Sequence, residues 1–113
     1  MVEAALDFDT VFRSLGDATR RDILRRLTAH DLTVGEIARR YTISFAAVSK
    51  HLMVLQQARL ITKRQRGREQ VIQLNTNTIA TATEYLRNYQ MYWESNLDSL
   101  EQHLSKPKRS NNA

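Results

Sequence analysis

A pair of helix-start signals followed by a basic hairpin constrains the fold of this chain more than any other feature. Thr33 and Glu36 have the spacing of a capping box, in which the hydroxyl and the carboxylate each accept a backbone N–H. Ser44 follows a break in the apolar pattern and can cap a second helix. Two runs rich in Ile, Val, Thr and Gln then flank Gly67-Arg68, which is a hairpin signal. This order predicts two helices joined by a tight break and followed by a β-hairpin.

Apolar periodicity predicts the other elements. The predicted helices cover about 7–15, 18–29, 33–41 and 44–58, the strands cover 60–66 and 69–74, and a long helix covers about 77–104. The predicted fold is mainly α with a small β-hairpin, in the order α-α-α-α-β-β-α, which is a winged helix-turn-helix. At 113 residues the chain has room for one small domain, which we expect over residues 1–105. Residues 106–113 contain the single proline and are expected to form a disordered basic tail.

The positive charge is concentrated on the predicted hairpin and the helix before it. The whole chain has a net charge of +5. Residues 44–75 carry six basic residues and one acidic residue, whereas residues 76–105 carry one basic and four acidic residues. A polyanion such as double-stranded DNA is therefore the expected partner. The first residues lack the pattern of a secretion signal and no apolar run is long enough to span a membrane, so we expect a cytoplasmic protein.

The outer face of the fourth helix is predicted to read base edges. Val48, Leu52 and Leu55 follow helical spacing and must face the core. The opposite face begins with small residues, which let the helix backbone approach the bases. His51 lies at the edge of the core face, so a half-buried histidine is an equal alternative to a DNA contact. The residues of this helix assigned to DNA contact are Ser44, Ala46, Ala47, Ser49, Lys50 and His51.

The cations of the hairpin are predicted to bind the DNA backbone. Side chains alternate along a strand, so Lys63 and Gln65 share one face while Arg64 and Arg66 share the other. We expect Arg66 and Arg68, near the tip, to contact phosphates or the minor groove, with Lys63 or Arg64 assisting. The alternative is a solvated hairpin whose charges protect an edge strand from aggregation.

The long C-terminal helix is predicted to form a homodimer. About 26 residues at about 1.5 Å each make a rod of roughly 39 Å, longer than a domain this small needs to cover its own core. Its large aromatic side chains are typical of interface anchors. A core helix within one chain is the alternative. The residues assigned to the dimer interface are Phe8, Phe12, Leu86, Tyr89, Trp93, Leu97 and Leu100.

Several of these segments resemble a known family. The run LGDATRRDIL at residues 15–24 is similar to the opening motif of the ArsR-type winged helix-turn-helix repressors. Ile37-Ala38, Ile43-Ser44, VSKHL at 48–52 and Gly67-Arg68 resemble their helix-turn-helix and wing, and the aromatic helix resembles the dimerisation helix of a non-metal branch. The resemblance implies a homodimeric bacterial or archaeal repressor that binds an imperfect palindrome, often near its own promoter.

The residues offer little for metal binding or catalysis. There is no cysteine, and His103 lies on a different helix face from the Asp98 and Glu101 pair. Ser49 and His51 diverge on their helix and cannot form a nucleophile–base pair. We therefore expect no enzyme, no metal and no cofactor, although the aromatic interface leaves room for a small apolar effector. A non-specific architectural DNA-binding protein and a winged-helix protein-interaction module are the alternative functions.

Overall fold

The computed structural model describes residues 6–105, and the basic tail predicted at 106–113 lies outside this range. The elements are α1 (Phe8–Ser14), α2 (Ala18–Ala29), β1 (Leu32–Thr33), α3 (Val34–Ala38), α4 (Phe45–Gln57), β2 (Ile61–Arg66), β3 (Glu69–Leu74) and α5 (Thr76–Ser105). The predicted winged helix-turn-helix is confirmed, with every predicted helix and strand present in the predicted order.

The third helix is shorter than predicted. It ends at Ala38 instead of Tyr41, since the N–H groups of Arg40 and Tyr41 donate to the carbonyls of Ile37 and Ala38, three residues earlier, at 3.0 and 3.3 Å. Such tight bonds take the chain out of α-helical geometry. The break between α3 and α4 therefore begins at Arg39, and Tyr41 belongs to the turn.

A short strand that the sequence did not predict connects the helices to the wing. Strand β1 pairs antiparallel with β3, with Leu32 opposite Ile72 and Thr33 opposite Val71, and the sheet order is β1-β3-β2. Thr33 is also the N-cap of α3, and its hydroxyl accepts the N–H of Glu36 at 3.1 Å. Thr33 therefore belongs both to a strand that pairs with the wing and to the start of α3.

The hydrophobic core lies beneath α4 and contains side chains from α1, α2, α3, β2 and β3 as well as from α4 itself. Full burial of one large aliphatic side chain contributes about 1.5–3 kcal/mol. The large side chains with almost no exposed surface are Val11, Ile23, Ile37, Val48, Leu52, Leu55, Leu60, Ile61 and Ile72.

The end of α4 turns the chain sharply into β2. Arg59 has a φ of +64°, and its N–H donates to the carbonyl of Gln56 at 2.9 Å while the N–H of Leu60 donates to that of Leu55 at 3.0 Å. This pair of bonds is a Schellman motif, in which glycine is the usual residue at the left-handed position. Arginine holds that position here against a steric cost.

The chain divides into two compact units, one ending at Ala80 and the other beginning at Thr81. The first contains the helix-turn-helix and the wing. The second contains α5 from Thr81 onward, and its large apolar side chains from Leu86 to Leu104 are about half exposed or more. The single domain expected over residues 1–105 stays a prediction.

Candidate nucleic-acid interface

Helix α4, which is predicted to read DNA bases, begins at a serine cap. The Oγ of Ser44 accepts the N–H of Ala47 at 3.0 Å, which satisfies one of the N–H groups left free at a helix start. Val48, Leu52 and Leu55 are buried and fix the rotation of α4 about its axis. Among the residues assigned to DNA contact, Ser44, Ala46 and Lys50 are exposed, whereas Ala47 and Ser49 are partly buried. Among these assigned residues, the first two turns of α4 therefore expose one small side chain, Ala46, and one cation, Lys50.

His51 lies apart from that surface. Its Nδ1 is 3.3 Å from Nη1 of Arg20 and 3.7 Å from Oδ2 of Asp17, and its side chain is 20% exposed. Both neighbours belong to the start of α2. His51 is therefore half-buried against the start of α2, and its assignment to DNA contact stays a prediction.

Asp17 and Arg20, from the run LGDATRRDIL, join the first helices. The carboxylate of Asp17 accepts the N–H of Arg20 at 3.0 Å, and this backbone hydrogen bond lowers the pKa of Asp17. The side chains of Arg20 and Arg21 donate to the carbonyls of Ser14 and Leu15 at the end of α1, at 2.6 and 2.8 Å. These arginines therefore cap a helix, and their cationic groups are already committed within the protein.

A second polar cluster holds the turn between α3 and α4. The Tyr41 hydroxyl donates to Oδ2 of Asp22 at 2.6 Å, and Nε of Arg26 donates to the same oxygen at 2.9 Å. The guanidinium of Arg26 also lies 5.7 Å from the centre of the Tyr41 ring. The hydrogen bond from Tyr41, together with those from Arg25 and Arg26, holds the pKa of Asp22 well below its usual range. The turn is therefore fastened to α2 by a charged network.

The wing has a tight two-residue turn. Arg66 pairs with Glu69, which leaves Gly67 and Arg68 as the loop. Gly67 has a φ of +62°, and Arg68 is not among the described residues with positive φ. This combination is the type II′ turn, which requires glycine at its first position and matches the twist of the strands. The hairpin predicted from Gly67-Arg68 is confirmed.

The cations on the two faces of the wing differ in whether they have an acidic partner. Lys63 lies opposite Ile72 and Arg64 lies opposite Val71, so these neighbouring cations point to opposite faces of the sheet. Nη2 of Arg64 is 3.9 Å from Oδ2 of Asp31, and Nη2 of Arg66 is 3.5 Å from Oε1 of Glu69. Within residues 6–105, Lys63 and Arg68 have no such ion pair.

A groove separates the recognition helix from the wing. It has a volume of about 490 Å³ and is open to solvent. It is lined by Thr33, Val34, Gly35, Arg39, Phe45, Ser49, Leu52, Lys63, Arg68, Glu69 and Gln70. Arg39, Lys63 and Arg68 outnumber the single carboxylate of Glu69 along this groove. The arrangement is suited to an anion that runs between helix and wing, such as a phosphate backbone.

Two residues of this groove were not predicted as site residues from the sequence. Arg39 directly follows α3, and within residues 6–105 it forms no ion pair. Phe45 is the first residue of α4 and is 61% exposed. Its position one residue after the predicted cap was the available signal.

The residues assigned to a dimer interface lie in two places. In α1, the rings of Phe8 and Phe12 are stacked with centres 6.2 Å apart, and both are partly buried. In α5, the assigned residues are between 47% and 56% exposed: Leu86, Tyr89, Trp93, Leu97 and Leu100.

The described residues were also compared with the requirements of a metal site and of a membrane-spanning helix. Between residues 6 and 105, no group of three or more His, Cys, Asp or Glu side chains is placed to hold a metal ion. In the same range, no helix combines the length and hydropathy needed to cross a bilayer.

Comparison with known proteins supports the winged helix-turn-helix fold. A family model described as a helix-turn-helix domain matches residues 15–64. The chain is 35% identical to the transcriptional repressor SdpR of Bacillus subtilis (strain 168) over 81 residues, which are 72% of this chain and 90% of that protein. It is 44% identical over 72 residues to the HTH-type transcriptional regulator Rv2034 of Mycobacterium tuberculosis, covering 64% of this chain and 67% of that protein.

A solved structure extends the likeness beyond the helix-turn-helix. The ArsR-like transcriptional regulator from Rhodococcus sp. RHA1 superposes with a TM-score of 0.71 at 27% identity. The match covers 88% of this chain and 92% of that chain.

Proposed function

Because the chain belongs to the ArsR-type family of winged helix-turn-helix transcriptional regulators, we propose that it is a homodimeric repressor that binds a palindromic operator near its own promoter. The observation that carries the proposal is the exposed first half of α4 beside a groove lined by three cations. The name of the similar Bacillus subtilis protein supports repression as the direction of control. The protein then works in the cytoplasm, together with the DNA that it binds.

In the proposed complex, α4 lies in the major groove. Ala46 contacts thymine methyl groups, Ser49 hydrogen-bonds a base or phosphate, and Lys50 binds a phosphate or guanine. Lys63 and Arg68 bind the backbone beside the helix, since both border the groove and both lack an ion pair among the described residues. Arg66 contributes less because Glu69 competes for it.

The proposed dimer is supported by the apolar row along α5. Leu86, Tyr89, Trp93, Leu97 and Leu100 recur every three or four residues and are all about half exposed. The row extends for about 21 Å at the rise of an α-helix. Contiguous apolar surface of this kind usually marks an interaction site. A second copy covers the row, and a two-fold dimer places its recognition helices about 34 Å apart, which matches a palindromic operator.

The test is binding of the full chain to its own upstream promoter DNA, measured by fluorescence anisotropy with random duplex as competitor at two salt concentrations. The proposal expects the promoter duplex to bind at least about 10³ times more tightly than random DNA, with two chains per duplex. A ratio below about tenfold supports the architectural function, and an absence of DNA binding supports the protein-interaction module.

Two variants separate the roles of helix and wing. Ser49→Ala is expected to weaken operator binding more than random-duplex binding, since it removes a contact that depends on the base. Arg68→Ala is expected to weaken both by a similar factor and to reduce the salt dependence. Equal losses from the two variants on both duplexes would contradict this division.

A further inference from the structure

An exposed aromatic ring lies at the start of α4. Phe45 is 61% exposed and directly follows the cap Ser44. A single exposed apolar side chain is ordinary on a protein surface, so exposure alone assigns no role to it. Its location is more informative, because the first turn of a recognition helix is the part that reaches base edges.

Phe45 lies on the DNA-facing side of the proposed complex. It lines the groove that also contains Ser49, Lys63 and Arg68. Phe45 and Ser49 are four residues apart, so they occupy the same face of α4 on successive turns. In the proposed complex, the cations bordering this groove bind phosphates, and Phe45, on the same groove and on the helix that enters the major groove, then lies where it meets bases.

The side chains present on α4 indicate which chemical group of a DNA base the Phe45 ring contacts. Arginine, lysine and the amide side chains are the bidentate readers of guanine and adenine, and Lys50 is the one such residue between 45 and 55. The donors left on this face are Ser49 and Lys50, since His51 contacts Asp17 and Arg20. The apolar feature of the major groove is the C5-methyl group of thymine.

We propose that Phe45 is a specificity-determining residue that recognises thymine methyl groups by apolar contact. The proposal rests on the proposed function and names the base chemistry that this helix reads. Successive bases on one strand are about 3.4 Å apart, so one ring covers the methyl groups of one or two neighbouring thymines. Ala46, exposed beside it, adds a smaller apolar contact.

The test replaces single methyl groups in the DNA. The wild-type chain first selects its tightest duplex from a random library, and each thymine of that duplex is then replaced by deoxyuridine, which lacks only the C5-methyl group. At one or two positions per half-site, the replacement is expected to reduce wild-type affinity about fourfold, the value for one buried methyl group. For Phe45→Ala, the same replacements are expected to cause a clearly smaller loss, because only the smaller contact from Ala46 then remains.

Met53→Ala is the matched control. Met53 is 50% exposed on the same helix, about 12 Å further along its axis than Phe45. This variant is expected to keep the wild-type sensitivity to deoxyuridine. Both side chains are exposed, so neither substitution removes a core contact.

The outcomes distinguish the two proposals. If the wild type selects no sequence over random DNA, the proposed function and the role of Phe45 are both overturned. If the wild type is sequence-specific but insensitive to deoxyuridine, or if Phe45→Ala keeps the full sensitivity, only the role of Phe45 is overturned. A sensitivity that falls clearly in Phe45→Ala and persists in full in Met53→Ala establishes it.

Discussion

Two neighbouring cations of the wing provide the sharpest test of the DNA-binding surface. Lys63 and Arg64 are adjacent in β2 and carry the same charge, yet they point to opposite faces of the sheet. Lys63 borders the groove beside α4, whereas the guanidinium of Arg64 lies 3.9 Å from Asp31. We predict that Lys63→Gln weakens operator binding and flattens its salt dependence, and that Arg64→Gln changes both much less.

The size of the expected change in salt dependence follows from counterion release. Each phosphate neutralised by a cation contributes about 0.9 to the slope of log affinity against log salt. With one Lys63 in each half of a dimer, Lys63→Gln is expected to reduce the slope by about 1.8. Over a change from about 50 to about 200 mM salt, the affinity deficit of the variant then shrinks about twelvefold. Loss of the Arg64 pair affects stability by at most about 1 kcal/mol, since both partners are substantially exposed.

The assay is fluorescence anisotropy with a labelled promoter duplex at four or more salt concentrations, run in parallel on both variants and the wild type. Thermal unfolding of each variant checks that the fold is retained. Equal slope changes for Lys63→Gln and Arg64→Gln would refute the reasoning, because net charge alone would then explain the binding. A larger effect from Arg64→Gln would assign the opposite face of the wing to DNA.

Three further predictions concern stability and assembly. Tyr41→Phe is expected to lower the free energy of unfolding in urea by about 1–2 kcal/mol at pH 7, because the hydrogen bond to ionised Asp22 is lost. Since the folded pKa of Asp22 is lowered, this difference should be present above its unfolded pKa of about 4 and diminish as the pH falls below it. Arg59→Gly is expected to raise the free energy of unfolding by about 1 kcal/mol, since glycine adopts the φ of +64° without strain. Leu97→Asp is expected to give monomers in analytical ultracentrifugation, because it places a charge within the apolar row. Asn96→Asp introduces the same charge beside the row and should leave dimers. A monomeric wild-type protein would contradict the proposed interface.

The sequence predicts the elements of this fold well because their boundaries have local causes. The capping box of Thr33 and Glu36 forms as predicted, with both hydrogen bonds present. The cap at Ser44 and the glycine turn at Gly67 also depend only on residues close in the chain. Such signals can be recognised without knowledge of the tertiary fold.

Other features depend on distant partners and could not be predicted. Strand β1 has two residues and exists because β3 lies beside it. Tyr41 falls within the helix predicted over 33–41, but its hydroxyl donates to Asp22, which is 19 residues away in the chain. The sequence also could not show which face of the wing turns toward α4, since alternation separates Lys63 from Arg64 without orienting either.

The distribution of paired and unpaired cations determines which basic residues are available to DNA. Arg20, Arg21 and Arg26 lie in the most arginine-rich segment of the described chain, yet they bind carbonyls or the carboxylate of Asp22. A cation that already has a protein partner gains less from a phosphate, because it must first lose that partner. Along the groove beside α4, Lys63 and Arg68 lack an ion pair within residues 6–105. In the proposed complex, the arginines of α2 therefore stabilise the scaffold, whereas Lys63 and Arg68 supply the charge that binds DNA along the groove.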